Sequence, residues 1–165
     1  MRAIIIKTTL VIILISAFNI SKAQYHTGIG IRMGTSKSIS MTQYFDPISR
    51  FHFSLGTRNM QGGIVFTTLY EIHSKNHNIN IELANVGFFF GIGGHIGRIP
   101  GPKYGLSKLK YVTPIGLDCD AGVEWKFPKF PLLLTLDIRP YYEYVKGKAQ
   151  PDFLDYALSL KYVFR

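Results

Sequence analysis

From residue 25 onward, apolar and polar residues alternate with a period of two. Clusters of Pro, Gly and Asn cut this alternation into about eight pieces. A period of two places successive side chains on opposite faces of a strand. The first piece, about 25–34, puts Tyr25, Thr27, Ile29, Ile31 and Met33 opposite His26, Gly28, Gly30, Arg32 and Gly34. The second, about 37–45, sets Ile39, Met41 and Phe45 against Ser38, Ser40, Thr42 and Tyr44. After an Asp46-Pro47 turn, Phe51, Phe53 and Leu55 oppose His52, Ser54, Gly56 and Arg58; Gly62-Gly63 then opens a fourth strand. Four longer pieces follow at about 85–97, 114–127, 131–144 and 153–164. No stretch carries a helical pattern, so the expected class is all-β.

The two faces differ in a way that selects the environment. One is nearly free of charge, with aromatics near strand ends: Tyr25, Phe45, Tyr70, Trp125, Phe127, Tyr142, Tyr144, Tyr162 and Phe164. The other mixes glycines and small residues with Arg32, Arg58, Lys126, Arg139 and Lys161 and with Glu71, Asp118, Asp120, Glu124, Asp137 and Glu143. A soluble sandwich shows its polar face to water, and that face carries Lys and Glu in number. Small residues beside long charged ones suit a narrow interior, where ion pairs fill the space that glycines leave. The pattern predicts a closed eight-stranded antiparallel up-and-down transmembrane β-barrel with a lipid-facing apolar band, aromatic girdles and an interior ion-pair network. Strands of about 9–14 residues are long enough to cross a bilayer when tilted.

With the N-terminus in the periplasm, 46–50, 74–84 and 128–130 are expected as periplasmic turns; 35–37, 59–63, 98–113 and 145–152 are expected outside. The 74–84 segment is long for such a turn. Pro140, on the apolar parity of the seventh strand, cannot donate to a ladder and predicts a bulge or a strand end there.

The first residues have a separate task. Arg2 and Lys7 precede an apolar run from Thr8 to Phe18, and Ser21 and Ala23 stand at −3 and −1 of a cleavage site. These are the parts of a secretory signal peptide, 1–23, with the barrel domain over 24–165. The apolar run is too short for a spanning helix, which needs roughly 18 residues. The 165-residue chain carries 19 Lys+Arg against 10 Asp+Glu, a net charge of +9. Three of those charges fall in the leader, and others sit among interior carboxylates, so the nucleic-acid reading falls away. A single cysteine, Cys119 on the apolar face, excludes a disulfide framework.

The GIGIRMG first strand, the FFFGIGGHIG limb and the closing YALSLKYVF resemble the small eight-stranded outer-membrane barrels of the OmpA/OmpX kind. The closing strand, with Tyr156, Leu158, Leu160, Tyr162 and Phe164 alternating, is similar to that family's C-terminal insertion signal, although Arg165 follows the aromatic. The resemblance implies insertion by the outer-membrane barrel assembly machinery.

Candidate chemistry is thin. Gly91-Ile92-Gly93-Gly94-His95-Ile96-Gly97 lacks the third glycine of a dinucleotide loop and no helix follows it, so small lumen residues are expected. His73 and His77 near Glu71 read as a solvated polar turn rather than a zinc site. No cofactor, metal or catalytic residue is expected. Lys37, Arg98, Lys103, Lys108, Lys110, Lys146 and Lys148 gather in the expected external loops, where lipopolysaccharide phosphates are their natural partners. The expected function is therefore a monomeric, non-catalytic barrel with a structural, envelope or surface-interaction role. The alternatives are a lipid A deacylase-like enzyme and a secreted soluble barrel holding an apolar ligand.

Overall fold

A computed structural model describes residues 27–58, 62–74, 86–106, 109–145, 148–152 and 155–164. The expected leader, almost all of the 74–84 turn, Lys108, Lys146 and Arg165 lie outside these residues. Eleven strands are present among those described: β1 (Thr27–Gly34), β2 (Lys37–Tyr44), β3 (Ser49–Thr57), β4 (Ile64–Ser74), β5 (Val86–Pro100), β6 (Tyr111–Val112), β7 (Ile115–Lys126), β8 (Leu132–Ile138), β9 (Tyr141–Val145), β10 (Lys148–Asp152) and β11 (Tyr156–Phe164).

They close into one barrel. Antiparallel ladders run from β1 through β2, β3, β4, β5, β7 and β8 to β11, and β11 returns to β1, with Thr27 opposite Phe164 and Gly34 opposite Ala157. Closure leaves neither edge of the sheet unpaired. β9 continues β8 along β7, and β10 pairs with β9, so each of the last two barrel strands is built from two pieces. β6 pairs only with the end of β5, beyond the barrel wall. One end of the barrel carries the short turns at 45–48 and 127–131 (the turn end). The other carries the connections at 35–36, 101–114 and 146–147 (the loop end).

Three details differ from the expected boundaries. β3 starts at Ser49, so Arg50 belongs to the strand and points inward rather than lying in a turn. The 145–152 connection is mostly strand β10, paired with β9. The ladder is interrupted beside Pro140, as its missing N–H requires. However, the register of β7 against β8 and β9 runs straight across that point, Ala121 facing Ile138 and Asp118 facing Tyr141. The extra residue lies in the neighbouring strand: two residues separate Ile138 from Tyr141, and three separate their partners Tyr156 and Asp152. The bulge therefore sits opposite the proline, where Arg139 N donates to Asp155 O.

The distribution of side chains is inverted relative to a water-soluble protein. Ile39, Leu55, Ile72, Phe90, Ile92, Leu117, Leu136 and Leu158 are all at least half exposed on the outer wall. Arg32, Arg50, Glu71, Asp118, Asp120, Arg139 and Lys161 are nearly inaccessible inside. Aromatic contacts band the turn end: Phe45 with Phe51 (4.8 Å between centroids), Phe51 with Tyr70 (5.6 Å), Trp125 with Phe127 (4.9 Å) and Tyr162 with Phe164 (4.9 Å). Cys119 is on the outer wall. Among the described residues the apolar cluster inside is small and local. Val65, Ile99, Val112 and Val145, with Leu106 and Leu109 from the long connection, stopper the loop end.

Candidate functional site: the charged lumen

Every strand places its odd or even positions inward according to its parity, and the interior is assembled mainly from those positions and their continuation just past the strand ends. Toward the turn end, Arg50 of β3 is the hub. Its Nε donates to Glu71 of β4, and its Nη1 reaches Glu124 of β7 (2.7 Å) and the Tyr44 hydroxyl (2.6 Å). His52 Nδ1 faces the other Glu71 oxygen at 2.6 Å, and His73 Nδ1 faces Glu124 at 3.0 Å. His73 is thus a buried lumen residue with a carboxylate partner; it does not belong to a solvated turn. His77 lies outside the described residues.

Toward the loop end there are three further groups. Arg32 of β1 grips Asp137 with Nε and Nη2 (2.9 and 2.5 Å) and Asp155 with Nη1 (3.1 Å). Arg58 donates to Asp118 at 2.7 Å, and Arg139 to Asp120 at 2.7 Å. His95 stands between two acids, Nδ1 against Asp118 (2.6 Å) and Nε2 against Glu143 (3.1 Å). That arrangement is complete only when both ring nitrogens carry a proton. Lys161 is buried at 1% exposure and within coulombic reach of Arg50 and Glu71.

Of the eleven residues expected in the network, ten are inside, and Lys126 is instead exposed at the end of β7. Arg50, Asp155 and the three histidines join them. Arg50 carries the inward parity of β3, a signal hidden when the strand is drawn a residue short, and Asp155 carries the inward parity of the last expected strand although the expected network leaves it out. Among the described residues, Arg32, Arg50, Arg58, Arg139 and Lys161 face seven interior carboxylates: Glu71, Asp118, Asp120, Glu124, Asp137, Glu143 and Asp155. His52, His73 and His95 each set a ring nitrogen against one of those carboxylates.

Glycines make this charge density possible. A Cβ at Gly91 would meet the Glu71 side chain at 2.7 Å, and one at Gly116 the His95 ring at 2.5 Å. Gly91 of β5 and Gly116 of β7 thus yield their volume to ionic side chains, while Gly93 and Gly94 of β5 lie against neighbouring backbone. His52, Glu71 and Asp120 bring one potential ligand atom each to within 4.8 Å of one another. Arg50 and His52 engage the two Glu71 oxygens and Arg139 holds Asp120 Oδ2, while Asp120 Oδ1 and His52 Nε2 are buried without hydrogen-bond partners.

At the loop end, Lys37, Arg98 and Lys110 are exposed, with the Arg98 guanidinium 4.8 Å and the Lys110 ammonium 6.0 Å from the Tyr111 ring centroid. The side chains of Lys103 and Lys148, like all of Lys108 and Lys146, lie outside the description. Tyr156, Leu158, Leu160, Tyr162 and Phe164 all face outward on β11.

The fold has a solved counterpart. The chain is similar to the N-terminal β-barrel domain of OprF from Pseudomonas aeruginosa, with a TM-score of 0.59, 9% identity, 85% of this chain covered and 96% of that chain. At that identity the likeness is one of fold. It is the small eight-stranded barrel of the OmpA kind that the strand pattern resembles. No family model matches the sequence, and no curated protein does.

Proposed function

We propose that the chain is an integral outer-membrane barrel with a non-catalytic structural, envelope or surface-interaction role, its lumen closed by ion pairs. The observation that carries this is the inversion of its faces: a continuous apolar wall outside and paired charges within. An exposed apolar surface on that scale is unstable in water and is what a hydrocarbon layer solvates. Among the described residues the interior is lined mostly by paired charges, which speaks against a soluble carrier of a greasy ligand. Against a lipid-modifying enzyme, His52, His73 and His95 are turned inward onto carboxylates of the chain, away from the lipid-facing wall.

In this reading 1–23 directs export, β11 presents the insertion signal to the assembly machinery, and the loop end faces outward. Lys37, Arg98 and Lys110, with Lys103, Lys108, Lys146 and Lys148, then meet lipopolysaccharide phosphates. The protein should fractionate with outer membranes, migrate faster unheated than boiled, and leave the mass of lipid A unchanged on expression. Recovery in a soluble fraction would sink the membrane reading, and a shifted lipid A mass the non-catalytic one.

A further inference from the structure

The lumen holds more negative charge than its Arg and Lys side chains match: among the described residues there are two more carboxylates than such cations. His52 marks one place where the difference is felt. It is 3% exposed on β3, its Nδ1 faces Glu71 at 2.6 Å, and its Nε2 is buried with no hydrogen-bond partner. His95 differs, with an acid on each ring nitrogen, Asp118 at 2.6 Å and Glu143 at 3.1 Å. The Glu71 carboxylate, ion-paired to Arg50, can only accept, so it takes the Nδ1 proton of His52 and leaves the imidazole lone pair on Nε2.

A second acceptor is left over beside it. Asp120 has no exposed surface; its Oδ2 accepts from Arg139 at 2.7 Å, and its Oδ1 is buried without a hydrogen-bond partner. The register of the sheet gathers these groups. Glu71 and Asp120 both pair with Gly91, from either side of β5, and a Cβ at Gly91 would meet the Glu71 side chain at 2.7 Å. The missing side chain leaves the lumen between the two carboxylates open to His52. His52, Glu71 and Asp120 accordingly bring one potential ligand atom each to within 4.8 Å of one another. Buried acceptors that meet neither a donor nor a cation are costly.

We propose that His52 Nε2 and Asp120 Oδ1 bind one divalent transition-metal ion of the zinc class, with Glu71 orienting His52 from its other nitrogen. A ligating histidine ordinarily gives its second N–H to a carboxylate in this way. An imidazole beside a carboxylate suits zinc, whereas magnesium and calcium take oxygen ligands. Zinc bonds of about 2.0–2.2 Å set ligand atoms roughly 3.5 Å apart, so the side chains draw together on binding, and the remaining positions fall to water. The two charges of the ion offset the two surplus carboxylates. A bridging water would satisfy both acceptors but offset none of the charge.

The test uses the untagged full chain, refolded into detergent micelles with zinc or magnesium present and dialysed before its metal content is measured. The expected result is one zinc per chain, no magnesium, and an unfolding midpoint above that of chain refolded with a chelator. His52→Gln should lower the affinity for zinc by at least about tenfold. His73→Gln, whose partner is Glu124, should keep one zinc per chain. Wild-type crystals should show anomalous scattering at the zinc edge between His52 and Asp120, a readout that needs no variant to fold. Folded wild type free of zinc, an anomalous peak elsewhere only, or undiminished affinity in His52→Gln would each overturn the assignment in favour of a water or a proton shared by His52 and Asp120. None of these readouts depends on which membrane the barrel occupies.

Discussion

Arg50 illustrates how a single buried residue holds this interior together. It is the one cation bonded to both Glu71 and Glu124, which come from strands on either side of β5. Replacing it with leucine strands two carboxylates in the lumen. Arg50→Leu is expected to cost about 3–5 kcal/mol of unfolding free energy, read from denaturant unfolding in micelles. A stability unchanged within error would show the network to be water-filled and slack. Asp46 offers a contrasting case in the turn between β2 and β3. The Ser49 hydroxyl and the backbone N–H groups of Ile48 and Ser49 bind its carboxylate and hold it below the ordinary carboxylate range. A depressed folded value means the ionised side chain adds stability above its unfolded value, about pH 4, and that this is lost as pH falls through the lower folded value. The difference in unfolding midpoint between the wild type and Asp46→Asn should therefore be present at pH 6 and fade on acidification. A gap that stays constant to pH 2 would contradict the turn geometry.

At the scale of elements, the long connection between β5 and β7 does more than join strands. Leu106, Leu109 and Val112 pack on Val65, Ile99 and Val145 and close the loop end with an apolar cluster. Ile99, with no exposed surface, is its centre. Ile99→Ala is expected to lower stability by about 2–4 kcal/mol and to open the 101–114 connection to protease before the barrel itself unfolds. Cleavage of that connection at the wild-type rate would show that the stopper does not depend on Ile99. Strand identities and facing were readable in the alternation, from the first strand to the closing Tyr156–Phe164 run. What escaped was the ends: Arg50 beyond a shortened β3, Lys126 emerging from β7, and β10 in a segment expected to be loop. Alternation reports which face a residue takes but not how far pairing continues, because the next residue's pairing depends on a partner strand distant in sequence. The bulge opposite Pro140 is the clearest instance. The proline announces a broken ladder, and the sheet accommodates it in the other strand.

For the whole molecule, closure and charge act together. Eight strands leave room for side chains and little else, and here that room is occupied by guanidiniums, carboxylates and imidazoles spanning strands far apart in sequence, such as Arg32 with Asp137 and Arg58 with Asp118. Reconstituted into a planar bilayer, the barrel is expected to give no current above background. Steady channels in the wild type would refute the plugged lumen.

By itself, the order of residues determined the class, the strand count, the face each side chain takes and the inverted placement of charge, since all of these follow from a period of two and from which side of it is polar. Tertiary structure alone decided which charges meet. Asp118 finds Arg58 and His95, Asp155 finds Arg32, and Arg58 keeps one donor unspent, because partners across a lumen are set by the stagger of the closed sheet, which no local pattern encodes.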